Sequence, residues 1–167
     1  NHHNGKATNY YRELDISKAI SKVSYEVDGV KFVRTAFASL SDDVIIVRIQ
    51  SDKAKALNFA VSYSSPLKSD VQVKGSKLII SCQGAEHEGI PAAMRAECQV
   101  QVRTDGRVSK EESTLAVNGA TEATLYISAA TNFVNYQDVS ANESKRVDVI
   151  LNQVGKKSYR QLLDSHI

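Results

Sequence analysis

The sequence predicts an all-β protein, an antiparallel β-sandwich followed by two short C-terminal helices, and three observations predict it. Short runs of alternating apolar and polar residues recur across residues 10–131, turn signals separate them, and helical spacing begins only beyond Asn142. Many strands followed by terminal helices fit a sheet-on-sheet core with a helical exit.

The first hairpin is the clearest element. Asp28-Gly29 lies between two alternating runs, and Asp-Gly supplies the positive φ angles that a tight hairpin turn demands. Before it, Ala19, Val23, Tyr25 and Val27 alternate with Lys22, Ser24 and Glu26, the period of a half-buried strand. After it, Val30, Phe32, Ala36 and Ala38 share a face with Arg34, while Lys31 and Thr35 share the other with Val33 and Phe37. Residues 44–49, VIIVRI, are almost continuously apolar, which predicts a central strand buried on both faces.

Leu57, Phe59, Val61 and Tyr63 continue the pattern until Ser64-Ser65-Pro66, and Val71 and Val73 until Gly75-Ser76. Residues 83–94 contain Gly84, Gly89 and Pro91 and read as a surface loop. Ala96, Cys98, Val100 and Val102 restore the rhythm; Asp105-Gly106 turns the chain, and Asn118-Gly119 turns it again before TLYISAAT. The pattern amounts to roughly nine to eleven strands.

Val147, Ile150, Leu151 and Val154 then fall at helical spacing, and Gly155 stands where a helix C-terminus favours a left-handed residue. Ser158 with Gln161 forms a capping-box pattern ahead of the stripe Tyr159, Leu162, Leu163 and Ile167. The expected division is a sandwich over residues 1–140 and a helical segment over 141–167, whose apolar last position gives the chain the look of a cut one.

Composition removes several function classes. Twenty-one basic residues against nineteen acidic leave a net charge of +2, no field for holding a nucleic acid. No apolar run approaches the ~20 residues of a membrane span. Cys82 and Cys98 lie in strand-like runs without metal-ligand spacing. They read either as buried free thiols or, if their strands pair in an oxidising compartment, as a disulfide.

Candidate catalytic groups are few. His87 sits between Glu86 and Glu88 in the loop and reads as a solvated histidine; His2-His3 lack further metal ligands; His166 is expected to contact whatever follows it. A glycosidase needs two carboxyls facing each other across a sugar, whereas neighbours on a strand point to opposite faces. Asp42-Asp43 and Glu111-Glu112 therefore read as solvated edge or turn charges. There is no Gly-x-Ser-x-Gly elbow and no Gly-rich phosphate loop. Taken alone, the chain reads as non-catalytic, with no cofactor and no metal.

Two polar features stand out. Arg12 and Asp15 flank Leu14 in a strand-like run, and residues 129–140 place Asn132, Phe133, Asn135 and Tyr136 just past a well-formed strand. Rings for apolar sugar faces beside amides for hydroxyls make a candidate substrate-contacting loop; the plainer role of Phe133 and Tyr136 is to seal the sheet edge against the helices.

The motifs Tyr-x-Arg-x-Leu-Asp at residues 10–15, Asp-Gly-Val-x-Phe-x-Arg at 28–34, Phe-Ala-Ser at 37–39, Asp-x-Val-Ile at 42–45 and Ala-Thr-x-Phe-Val-Asn-Tyr at 130–136 occur in an ordered series. In order and spacing, this series resembles the N-terminal β-sandwich region of the inverting α-L-fucosidases of glycoside hydrolase family 95. The resemblance is dense over residues 10–66 and 114–167; Ser41 stands where the family more often has proline. It implies a secreted or periplasmic bacterial glycosidase whose active site lies in a separate helical α/α barrel, the chain's partner, acting on fucosylated glycans. It also implies that the chain starts after the family's first strands, leaving an open edge able to pair with a second copy. The competing readings are a free-standing carbohydrate-binding sandwich, disfavoured by the absence of tryptophan, and a surface scaffold domain.

Overall fold

This computed structural model describes residues 5–167; His2 and His3 lie outside the described residues. The strands are β1 (Thr8–Asp15), β2 (Ile20–Val27), β3 (Val30–Ser39), β4 (Val44–Ser51), β5 (Leu57–Val61), β6 (Lys68–Lys74), β7 (Lys77–Gln83), β8 (Arg95–Thr104), β9 (Arg107–Glu111), β10 (Thr114–Ala120) and β11 (Glu122–Thr131). Helices α1 (Glu143–Val154) and α2 (Tyr159–His166) follow. The all-β sandwich expected from the pattern is the observed class.

Eight strands form one antiparallel sheet in the order β1-β2-β3-β4-β11-β8-β7-β6, and three form a second in the order β5-β10-β9. The small sheet packs on one face of the large one. Leu57, Phe59, Leu115 and Val117 from the small sheet meet Phe32, Ile49, Leu78, Ile80, Val100, Val102 and Leu125 from the large. On the opposite face, Phe37, Val44, Ile46 and Tyr126 pack against Val147, Leu151, Val154 and Leu162 of the helices. β4 lies between β3 and β11 and serves both cores, as its apolar run predicts.

The Asp28-Gly29 hairpin forms as expected, with φ of 52° and 74° and a register pairing Val27 with Val30 and Tyr25 with Phe32. Asn118-Gly119 does not turn the chain. It lies inside β10 as an irregularity between Val117 and Ala120, where Gly119 takes φ +63° and its amide donates to Asn58 Oδ1 at 3.0 Å. The positive-φ signal is the same for a turn and for a bulge, and only the partner strand distinguishes them. The change of sheet instead occurs at Thr121, whose amide, like that of Glu122, donates to Asp105 Oδ1 at 2.8 and 3.0 Å. These backbone bonds hold the Asp105 carboxyl below its ordinary pKa range.

Gly155 also departs from expectation, with φ −55° in the right-handed region. A Cβ there would meet the Leu151 and Asn152 carbonyl oxygens at 3.1 and 3.2 Å, and the Gly155 carbonyl accepts from Arg103 Nη2 at 2.5 Å. α2 opens with the predicted capping box between Ser158 and Gln161. Leu162 is fully buried, whereas Ile167, read as part of the same stripe, is exposed. His166 turns back on the chain instead of awaiting a later segment. Its ring stacks on Phe37 at 4.7 Å, and Nε2 lies 2.9 Å from the Lys18 carbonyl.

Asp42, read as a solvated turn charge, is a correction, since its side chain is only 5% exposed. It pairs with Lys157 and accepts from Ser39 Oγ at 2.9 Å and Ser165 Oγ at 2.8 Å. A turn carboxylate beneath a later helix is covered by residues more than a hundred positions away, which no local pattern reveals. Burial pushes its pKa up, but the bonds from Lys157, Ser165 and Ser39, with the Lys157 charge, outweigh it and hold the carboxyl below its ordinary range. Glu111 and Glu112 are exposed, as expected. Cys82 and Cys98 are free, partly buried thiols on paired strands β7 and β8; burial pushes the Cys98 thiol up, with Cys82 and Glu97 adding.

Asp42→Ala is expected to destabilise the fold by about 2 kcal/mol, because Lys157 and two hydroxyls lose a shared acceptor. A folded-state pKa below the unfolded one gives stability that is present above the ordinary carboxylate range and lost as pH falls through the lowered value. The gap between wild type and Asp42→Ala in urea midpoints should therefore be full at neutral pH and shrink on acidification.

Candidate functional site

One end of the large sheet gathers the irregular segments. The antiparallel order and registers bring together the β1–β2 turn (16–19), the β3–β4 turn (40–43), the β7–β8 loop (84–94) and the exit from β11 (132–142). Strand ends on a rigid sheet are where binding residues concentrate.

Asn132 fastens two of these segments. It is fully buried; its Oδ1 accepts from the Arg95 amide at 2.8 Å, and its Nδ2 donates to the carbonyls of Ala93 and Val139 at 2.9 and 2.8 Å. Both amide atoms of Asn132 are thus engaged with backbone on the β7–β8 loop and on its own loop. Arg146 of α1 donates through Nη1 to the carbonyls of Thr131 and Phe133, both at 2.8 Å. Asn135 and Asp138 close the tip: Asn135 Oδ1 accepts from the Gln137 amide and Asp138 Oδ1 from Ser140. The side-chain and backbone bonds from Ser140 hold Asp138 below its ordinary pKa range.

The aromatic members of the predicted set point outward. Phe133 is 47% exposed and Tyr136 88%, so neither seals the sheet against the helices, the plainer role considered for them. Of the four residues on this loop, Asn132 and Asn135 both hold backbone through their amides and the two rings are open. Neighbouring segments at this end add exposed Ile16, Leu40, Ile90 and Met94. A single stranded apolar side chain is ordinary; several at one end of a sheet mark a contact surface.

Beside this end lies a cavity of about 910 Å³, lined by Leu40, Val44, Ile45, Ile127, Val149 and Ile150 with Lys145 and Arg146 at its rim. Sequence reasoning missed it, because it forms where α1 leaves the ends of β3, β4 and β11 uncovered. Neither Arg12 nor Asp15 lines the cavity, and Asp15 acts at this end only within its own turn. Asp15 Oδ1 accepts from the Ser17 hydroxyl at 2.6 Å and from the Ser17 and Lys18 amides, which shapes the β1–β2 turn and lowers its pKa. Arg12 is exposed and opposite Val23.

His87 pairs with Ile90 in a short bridge. Two carboxylates do approach each other elsewhere: Glu97 and Asp148 both accept from Gln99 Nε2, at 2.8 and 3.1 Å. The glutamine amide fills the space between them, where an inverting or retaining pair would hold water and sugar. Among the described residues no group of three or more His, Cys, Asp and Glu could hold a metal, and no helix is long and apolar enough to cross a membrane.

Residues 1–136 match the glycosyl hydrolase family 65 N-terminal domain. The chain belongs to that family. A protein of Arabidopsis thaliana named Alpha-L-fucosidase 2 is 31% identical over 185 aligned positions, which cover 95% of this chain and 22% of the relative. Among solved structures, a putative kojibiose phosphorylase from human microbiome superposes with a TM-score of 0.58 over 96% of this chain and 22% of that one, at 13% identity. That likeness concerns the fold of this glycoside hydrolase N-terminal domain. The chain spans about a fifth of the length of both relatives.

Asn132→Ala should leave three backbone groups without partners and cost about 2–3 kcal/mol, with faster proteolysis of residues 84–94 and 132–140. Tyr136→Ala, which removes only exposed surface, should change stability by less than about 0.5 kcal/mol. Urea unfolding and timed trypsin digestion read both effects.

Proposed function

We propose that this chain is the non-catalytic N-terminal β-sandwich of an inverting α-L-fucosidase of the glycoside hydrolase family 95 type. In this reading it supports a separate helical barrel that hydrolyses terminal α-L-fucosyl linkages in glycans outside the cytoplasm, in a secreted or periplasmic setting. The observation that carries it is the similarity to the Arabidopsis protein named as an α-L-fucosidase, which runs through 95% of this chain. The ordered motifs at residues 10–15, 28–34 and 130–136 support the same family.

The geometry supports a supporting role over a chemical one. The Glu97–Asp148 pair shares a glutamine amide instead of facing a sugar, while apolar side chains collect at the loop end of the sheet. Phe133, Val134 and Tyr136 are then contacts to the catalytic barrel, with the rings near its mouth. An open β1 edge, the outermost strand of the large sheet, leaves pairing with a second copy available to the isolated chain.

The purified 167-residue chain is expected to release no fucose from an α-1,2-linked fucosyl oligosaccharide, while the longer protein that contains it does. Turnover by the chain alone, with a rate that survives repurification, would overturn the non-catalytic assignment. Failure of the longer protein to act on any α-L-fucoside would overturn the substrate assignment.

A further inference from the structure

The helix-covered face of the large sheet changes character between β11 and β8. On the β3, β4 and β11 side it presents Phe37, Ile46 and Tyr126 to the helices. On the β8, β7 and β6 side the same face is polar, because Gln99 is opposite Ile79 and Ser128, Glu97 is opposite Ser81, and Lys77 is opposite Lys74 and Gln101. α1 lies along the boundary. Its Val147 and Leu151 are buried on the apolar side, and its Ser144 and Asp148 reach the polar side. The result is a cleft of about 540 Å³ between α1 and β6–β8, within the roughly 300–1,000 Å³ of small-molecule sites.

From this we infer that the cleft between α1 and strands β6–β8 is a binding site for a neutral polyhydroxylated ligand, a saccharide. Three features of the cleft argue for that class. Its floor is preorganised: Gln99 is 2% and Glu97 7% exposed, and Gln99 Oε1 accepts from Lys77 Nζ at 2.9 Å while Gln99 Nε2 donates to Glu97 and Asp148. Ser144 Oγ donates to the other oxygen of Glu97.

Its walls keep bonding capacity in both senses. Lys77 uses two of its three protons, on Gln99 and on Asp148 at 3.3 Å. The side chains of Lys74 and Ser81 line the cleft and make no hydrogen bond or ion pair among the described residues. Lysine donates only, a carboxylate accepts only, and a hydroxyl does both, so the cleft suits ligand groups that donate and accept at adjacent positions, as vicinal hydroxyls do.

Its formal charge balances, with Lys74 and Lys77 against Glu97 and Asp148. A phosphate would meet two carboxylates and a metal ion two ammonium groups, and each would pay for a like charge in partly desolvated surroundings. A neutral ligand meets no such penalty, and the partly buried Ile79 offers an apolar contact for a C–H face of a sugar ring. The ligand class follows from the cleft alone; only the choice of fucosylated probes rests on the proposed function, and turnover and cleft binding fail independently.

Amide NMR titrations of the 167-residue chain with L-fucose, lactose and 2′-fucosyllactose, with sodium phosphate and calcium chloride as ionic probes, test it. At least one saccharide should shift amides of residues 72–81, 97–101 and 144–148 and saturate at roughly millimolar affinity, and the ionic probes should not. Asp148→Ala and Lys74→Ala, both at partly or fully exposed positions, should each weaken that binding by about fivefold or more while the remaining spectrum stays unchanged. The proposal is overturned by no saturable shift with any saccharide, by shifts confined to residues 129–140, by tighter binding of phosphate or calcium, or by binding that both variants leave intact.

Discussion

The fold depends on burying both faces of the central strands β4 and β11. A strand alternates its side chains between two faces, so a strand with apolar residues at almost every position requires a cover on each side. Ile49 and Leu125 find theirs in the three-stranded sheet, Ile46 and Tyr126 in the helices. Removing either cover would leave a broad apolar sheet face in water, at about 25 cal/mol for each Å² exposed. The helices are therefore part of the sandwich's stability and not an appendage, although their sequence resembles a linker.

Given that constraint, a few polar side chains decide where the connections run. Asn132, Asp42 and Asp105 each join segments distant in sequence: the β7–β8 loop to the β11 exit, the β3–β4 turn to the α1–α2 junction, and the β8–β9 turn to the crossover between sheets. Each is a short side chain whose oxygens meet backbone amides, hydroxyls or an ammonium. Asn132 and the Asp42 carboxyl are buried, and a buried acceptor contributes modestly when satisfied and costs more when left unmet; Asp105 does its joining from an exposed position. Arg48 and Arg103 act similarly from the sheet, lying over the Tyr159 and Tyr126 rings at 4.4 and 5.2 Å.

The strands and their order of turns were legible because alternation is a local property. So was the capping box of α2, which needs only Ser158 and Gln161. The errors share one physical origin, since each depends on a partner remote in sequence. Gly119 signals a positive φ, but whether that makes a turn or a bulge depends on β5. Gly155 signals a left-handed cap, but its backbone is right-handed and its carbonyl is taken up by Arg103, fifty-two positions earlier. Asp42 resembles any turn carboxylate until Lys157 and Ser165 cover it. The four-residue set on the β11 loop was legible as a set, yet the division between a buried Asn132 and an exposed Tyr136 follows from Ala93 and Arg95, which alternation cannot place beside it. The polar cleft was hidden for the same reason, since Gln99 and Glu97 read as the outward face of an ordinary strand.

Why should a sheet that needs cover keep its helix-facing side polar over β8, β7 and β6? Extending the apolar surface across β8, β7 and β6 would require a third helix or a longer α1, because α1 covers chiefly β11, β8 and β4. A polar face needs no such cover, but a solvated one would carry side chains at ordinary exposure. Here Glu97 and Gln99 are more than nine-tenths buried, and desolvating a carboxylate is costly unless it is fully hydrogen-bonded. Gln99 Nε2 and Ser144 Oγ meet that requirement for the two Glu97 oxygens, with Lys77 and Asp148 holding Gln99 in turn, whereas a single apolar substitution at residue 97 would have avoided it. The arrangement accepts a desolvation cost that folding does not demand. That is the physical argument for reading the cleft as a site and the rest of the helix-facing surface as core.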